Sequence, residues 1–227
     1  MSDDLTGPAY WDVFPKSIRV SVAEMEQLIP LSVRGKASAP VFQSSNADIV
    51  NVDENGILYF SGNVGNAMII VDETADLKDA ADKIMRSKTF DHATSCSTEN
   101  ELAIHESIYD KLIKELEAVG GYLCNAEEKA KLQKATWDEK GALSRAIVAQ
   151  PAAKIAEIAG IKLPKGKSFF MVEETGIGKG FPFSGEKLSV TTTLYKWKEF
   201  PEAIDMANRI CAYSGPGHSC GIHTTNE

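Results

Sequence analysis

The sequence predicts an α/β domain on a largely parallel sheet flanked by helices, preceded by a short irregular appendage. Three observations carry this reading. From Gly62 onward, short apolar runs alternate with segments of helical period. Runs such as Ala67-Met-Ile-Ile-Val71 are apolar throughout, as strands buried on both faces are. The first 61 residues lack this rhythm and are broken by Pro8, Pro15, Pro30 and Pro40. The expected division is therefore 1–61 and 62–227.

Within the appendage, Val20 to Ile29 has the pattern of a short helix with Ser21 as its N-cap. Asp48 to Val52 and Ile57 to Phe60 read as a hairpin turning at Asn55-Gly56. In the main segment, Ala67–Val71 is a strand. Asp72 to Asp76 offers caps for a helix over Leu77–Arg86, whose apolar positions Leu77, Ala80, Ala81, Ile84 and Met85 share one face. Leu102–Ile104 is a strand, and Ser107–Val119 an amphipathic helix stopped by Gly120-Gly121. Asn125 caps a helix to about Thr136, and Ala152–Ala159 is a short helix closed by Gly160. Ser168–Val172 and Leu188–Tyr195 are strands. Pro201 opens a helix to about Ala212, and Ser219–His223 is a final strand.

Composition narrows the function. With 43% hydrophobic residues among 227, the chain can bury a sizeable core. A net charge of −8 argues against nucleic acid as the main partner. There is no apolar run of 18 residues and no secretory h-region, so a cytoplasmic chain without a membrane span is expected. Cys96, Cys124, Cys211 and Cys220 show no C-x-x-C spacing, which speaks against structural zinc; no metal is expected.

Three polar stretches lie where loops meet strands, and an α/β site is expected at that edge. Lys88-Thr-Phe-Asp-His-Ala-Thr-Ser-Cys-Ser-Thr-Glu-Asn100 sets Cys96 among small polar neighbours, leaving a sulfur accessible and backbone N–H groups close to whatever it attacks. Phe181-Pro-Phe-Ser-Gly-Glu-Lys-Leu-Ser189 carries Glu186. Gly215-Pro-Gly-His-Ser-Cys-Gly-Ile-His223 carries His218. Taken singly, each has a plain structural reading. Cys96 is then a half-buried loop cysteine, Glu186 a solvated carboxylate beside Lys187, and His218 a turn histidine. His92 and His223 read as structural, and Cys124, Cys211 and Cys220 as core or partly buried thiols.

Taken together and in order, these stretches resemble the aldehyde dehydrogenase superfamily, specifically its CoA-acylating branch of acetaldehyde, succinate-semialdehyde and sulfoacetaldehyde dehydrogenases. Gly65-Asn66 with Ile69-Ile-Val-Asp-Glu-Thr-Ala-Asp76 is similar to the run before the family's catalytic region. Ser87-Lys-Thr-Phe-Asp91 with Cys96 and Glu99 resembles the nucleophile segment, Glu186-Lys-Leu-Ser189 the second motif, and Gly217-His-Ser219 the third. The resemblance implies an aldehyde-dehydrogenase-like catalytic domain over 62–227 that oxidises a short aldehyde to an acyl-CoA with NAD or NADP. Cys96 would be the nucleophile that carries the thioester, with its N–H an oxyanion donor. Glu186 would hold the nicotinamide ribose, and His218 would help deprotonate the coenzyme A thiol.

Residues 1–61 carry no Gly-rich dinucleotide fingerprint and do not resemble the family's nucleotide-binding domain. Asn46 is not a credible second oxyanion donor, Asn63 stands where the family usually has Gly, and the chain stops soon after the third motif. The sequence is therefore expected to be a catalytic-domain portion, incomplete at its C-terminal end and joined to an unrelated leader. It would work as a homo-oligomer or beside a separate nucleotide-binding subunit. Two alternatives remain open: an inactive remnant or partner-binding module, and a thioester acyltransferase that needs no nicotinamide.

Overall fold

The computed structural model describes residues 66–139, 141–214 and 218–226, together with five short strands in the first 60 residues. The chain divides into two compact units, Met1–Asn63 and Val64–Glu227.

In the first unit, β1 (Trp11–Phe14) pairs antiparallel with β3 (Ser32–Gly35). A second sheet has β5 (Ile57–Phe60) between β2 (Ile29–Pro30) and β4 (Val50–Val52). The expected hairpin is present, with Val50 opposite Phe60 and Val52 opposite Leu58. Its Asn55-Gly56 turn lies outside the described residues. The helix expected over Val20–Ile29 also falls outside them, except at Ile29, which is in strand β2.

The second unit is a six-stranded parallel sheet in the order β11-β6-β7-β10-β9-β8. Its strands are β6 (Met68–Val71), β7 (Glu101–His105), β8 (Gly121–Leu123), β9 (Phe169–Glu173), β10 (Thr191–Trp197) and β11 (Cys220–His223). Five helices connect them: α1 (Leu77–Thr89), α2 (Tyr109–Ala118), α3 (Ala126–Thr136), α4 (Ala152–Ala159) and α5 (Phe200–Ser214). Side chains alternate across the sheet, and both faces are covered. Leu102, Ile104 and Leu194 join Ala81, Ile84, Leu112 and Leu116 of α1 and α2 in one core. Met68, Ile70, Ala103, Tyr195 and Trp197 join Ala203, Ala207 and Ile210 of α5 in the other. Burial on both faces explains why the strands read as continuous apolar runs.

Local chemistry sets most element ends. Asp76 caps α1 by accepting from the N–H groups of Lys78 and Asp79. Asn125 and Glu128 form a reciprocal capping box on α3. Gly160 closes α4 in the left-handed region, at φ 66°. Helix α1 runs to Thr89, three residues past its expected end, which places Lys88 in its last turn.

Two elements depart from the sequence reading. Strand β8 is an addition: Gly120-Gly121 ends α2 but also starts a strand that pairs with β9. A Cβ at Gly121 would lie 2.8 Å from the Leu116 carbonyl oxygen and from the Phe169 ring, so the close approach requires glycine. Strand β10 begins at Thr191 and not at Leu188. Leu188 has φ 41°, and its carbonyl accepts from the Ala149 N–H at 2.9 Å, which turns the chain away from the ladder.

Candidate functional site

Because the six strands are parallel, every loop that feeds a strand reaches the same edge of the sheet. Asn66 precedes β6, Cys96 and Asn100 precede β7, Glu186 precedes β10, and His218 precedes β11. The register aligns Met68 with both Cys220 and Glu101, and Glu101 with Thr193. The fold thus brings the Cys96, Glu186 and His218 loops to one edge. The β7 loop is flanked by the β10 loop next to it and by the β11 loop two strands away, a separation of about 10 Å. The usual crevice of open α/β sheets lies at the carboxyl ends of the strands, whereas these loops gather at the amino ends.

Cys96 lies in a turn in which the Thr98 N–H donates to the Ser95 carbonyl at 3.2 Å, and it is partly exposed. Ser95 and Ser97 share a hydrogen bond of 2.8 Å between their hydroxyls. Cys124 and Cys211 differ in setting. Burial pushes the Cys124 thiol up to about 12 and also pushes the Cys211 thiol upward. Cys220 departs from the expected partly buried thiol, because it is exposed on β11. Limited alkylation with peptide mapping is expected to label Cys96 ahead of Cys124 and Cys211. First labelling at either of those two would remove Cys96 as the nucleophile.

Glu186 is not solvated as its plain reading held. It is 9% exposed, and its Oε1 accepts from the backbone N–H groups of Lys187 at 2.7 Å and Leu188 at 2.9 Å. The carboxylate therefore fixes its own turn, as a holder of ribose hydroxyls would need. His218 is partly exposed, and its Nδ1 accepts from the Ser219 N–H at 2.8 Å. That bond places the proton of the neutral ring on Nε2. As arranged, the imidazole presents a donor at Nε2, and taking a thiol proton would require it to release Ser219.

The sequence reading missed the buried polar layer that ties together the segments leading into β6, β7 and β10. Lys187 is fully buried; its Nζ donates to Glu101 Oε1 and to the carbonyls of Phe183 and Gly185, each at 2.8 Å. Asn66 donates to the Ser184 carbonyl at 2.7 Å. Asn100 donates to Asn66 Oδ1 and, at 3.1 Å, to the Gly185 carbonyl. Thr193 Oγ1 donates to the Phe183 carbonyl at 2.7 Å. Burial pushes the Glu101 carboxyl up to about 8, opposed by the charge and hydrogen bond of Lys187. Lys88, also fully buried, sits below the Cys96 turn with its Nζ 3.5 Å from Thr98 Oγ1. One signal was available in the sequence: Lys88 continues the buried phase of Ala81 and Ile84 along α1.

Among the described residues, no group of three or more His, Cys, Asp or Glu could hold a metal ion. No helix among them is long and apolar enough to cross a membrane.

The Cys96, Glu186 and His218 loops thus share one edge of the parallel sheet. Residues 62–123 match the aldehyde dehydrogenase family. Sulfoacetaldehyde dehydrogenase (acylating) of Cupriavidus necator is 39% identical over 214 residues, covering 90% of this chain and 43% of its own length. An acetylating aldehyde dehydrogenase from Geobacillus thermoglucosidasius superposes with a TM-score of 0.69 at 38% identity, over 71% of this chain and 36% of that one. A propionaldehyde dehydrogenase from Rhodopseudomonas palustris, solved with bound CoA and an acylated cysteine, superposes with a TM-score of 0.65 at 25% identity, over 71% of this chain and 36% of that one. The chain belongs to the aldehyde dehydrogenase family. It spans less than half the length of each of these three proteins. The Cupriavidus match covers 90% of the chain, more than 62–227 alone supplies, so the similarity reaches into the first 61 residues. That corrects the expectation of an unrelated leader.

Proposed function

We propose that this chain provides the catalytic portion of a CoA-acylating aldehyde dehydrogenase that oxidises a short-chain aldehyde with NAD or NADP. The supporting observation is the Cys96 turn, set on one sheet edge with the Glu186 and His218 loops. The Cys96 thiolate adds to the aldehyde carbonyl and forms a thiohemiacetal, with the Cys96 N–H as an oxyanion donor. When bound, the nicotinamide supplies the hydride acceptor, and Glu186 is the residue here that would hold its ribose. The thioester left on Cys96 is then attacked by the thiolate of coenzyme A. The C–S bond to Cys96 breaks, acyl-CoA leaves, and the cysteine thiolate is regenerated. His218 serves this exchange as an Nε2–H donor to the CoA sulfur, the role its bond to Ser219 favours over proton removal.

The exchange half-reaction can be read without nicotinamide. Mixed with an acyl-CoA, the chain is expected to release one equivalent of CoA and retain a hydroxylamine-labile acyl group. Continuous acyl-CoA hydrolysis or transfer under these conditions would favour the acyltransferase reading instead. No CoA release would contradict the proposal. Adding NADH is expected to give little reduction by these 227 residues alone. Glu186 positions at most one ribose, and losing the remaining placement forfeits about 7–11 kcal/mol of proximity advantage.

A further inference from the structure

We infer that Lys88 is a positioning residue for Cys96, holding the nucleophile turn through the Thr98 hydroxyl. The inference rests on the reading of Cys96 as the nucleophile. It starts from an anomaly, a lysine with 1% exposure in the last turn of an otherwise apolar helix face. A buried ammonium is costly and persists only where it has a task or a partner. Its hydrogen-bond contact is the Thr98 hydroxyl, two residues beyond Cys96 and the closing position of the Ser95–Thr98 turn.

The chain between them is wound to make this contact. Asp91, His92 and Ala93 all have left-handed backbones, at φ 47°, 54° and 61°. For residues with a Cβ that conformation is disfavoured, because Cβ comes close to the following carbonyl oxygen. The Thr94 N–H and hydroxyl both donate to the Asp91 carbonyl and lock the bend. Three consecutive strained residues return the chain over the end of α1, so that a residue ten positions later meets Lys88. Strain of this kind is retained where geometry is over-determined, often at functional sites.

The electrostatics agree. Lys88 is faced by Lys187, Glu186, Glu101 and Glu99. Burial, with repulsion from Lys187, pushes its ammonium down to about 8 against the three carboxylates, so it is a cation at neutral pH. Glu186 and Glu101 are engaged by backbone N–H groups and by Lys187.

The test is the rate of Cys96 alkylation in Lys88→Met, with exposed Cys220 of the same chain as internal reference. The substitution removes a buried charge and keeps an unbranched apolar stem, a change that folds often tolerate. Cys96 labelling is expected to slow by about tenfold, while Cys220 labelling is unmoved. Thr98→Val cuts the contact and keeps the charge. It is expected to slow Cys96 labelling by a few-fold, and it decides the matter if Lys88→Met fails to fold. An unchanged ratio of Cys96 to Cys220 labelling in a folded Lys88→Met chain, or in Thr98→Val if that chain does not fold, overturns the inference. Acyl transfer to Cys96 reports separately on the nucleophile itself.

Discussion

Above pH 8, where the Glu101 carboxyl is ionised, replacing Lys187 by Met is expected to lower the free energy of unfolding by about 3–5 kcal/mol, the usual cost of stripping one partner from a buried ion pair. Lys187 and Glu101 are both fully buried at 2.8 Å, and the same ammonium ties down the carbonyls of Phe183 and Gly185. Without it, Glu101 is left in the core and two carbonyls lose their donor. The double variant Lys187→Met/Glu101→Gln is expected to recover part of the loss, because no charge then stays buried. Denaturant unfolding of the three chains measures this. A loss below about 1 kcal/mol for Lys187→Met would mean that the pair does not weld the loops.

The same pair predicts a pH dependence. In the folded chain the Glu101 carboxyl rises from its ordinary 4.5 to about 8. Between those values the folded state holds a proton that the unfolded state has released. Stability from this group is therefore fully present below pH 4.5 and is lost as pH rises to 8, at a slope of up to about 1.4 kcal/mol per pH unit. Lys88 acts in a different window, between 8 and its ordinary 10.5. Glu101→Gln is expected to flatten the lower window relative to the parent chain.

Replacing His218 by Ala is expected to slow acyl exchange between CoA and the chain by about 10²–10³-fold, the range for losing one positioned hydrogen-bond donor at a reacting centre. The Nε2–H role adds a second expectation. His218→Asn keeps a donor and should retain more activity than His218→Ala. Stopped-flow measurement of CoA release gives both rates. Equal rates in the parent and His218→Ala chains would remove His218 from the site.

What the sequence disclosed follows the range of the forces involved. Helix α3 was legible to the residue because its capping box is local, made by Asn125 and Glu128. Strand β8 was not, because three residues gain their identity only by pairing with β9, and Gly120-Gly121 was read only as a helix stop. The start of β10 was misplaced because the left-handed turn at Leu188 is paired with Ala149, 39 residues earlier. In the site, Cys96, Glu186 and His218 stood out only when their three stretches were taken together and in order, where they resemble the family's motifs. The layer beneath them did not. Glu101 drew no reading, and Lys187 was read only as the neighbour of Glu186. Both are buried because they meet across 86 positions of sequence. Lys88 could have been found from its place on the apolar phase of α1, but its meaning depends on Thr98 being folded back onto it.

The measurement that bears most directly on the central claim is the location of the acyl group after the chain reacts with an acyl-CoA. Tandem mass spectrometry of a rapidly quenched acidic digest should find the acyl mass on Cys96, with Cys124, Cys211 and Cys220 unmodified, and should find none on the Cys96→Ala chain. Acylation of another cysteine in the parent chain, or undiminished acylation of Cys96→Ala, would contradict the account.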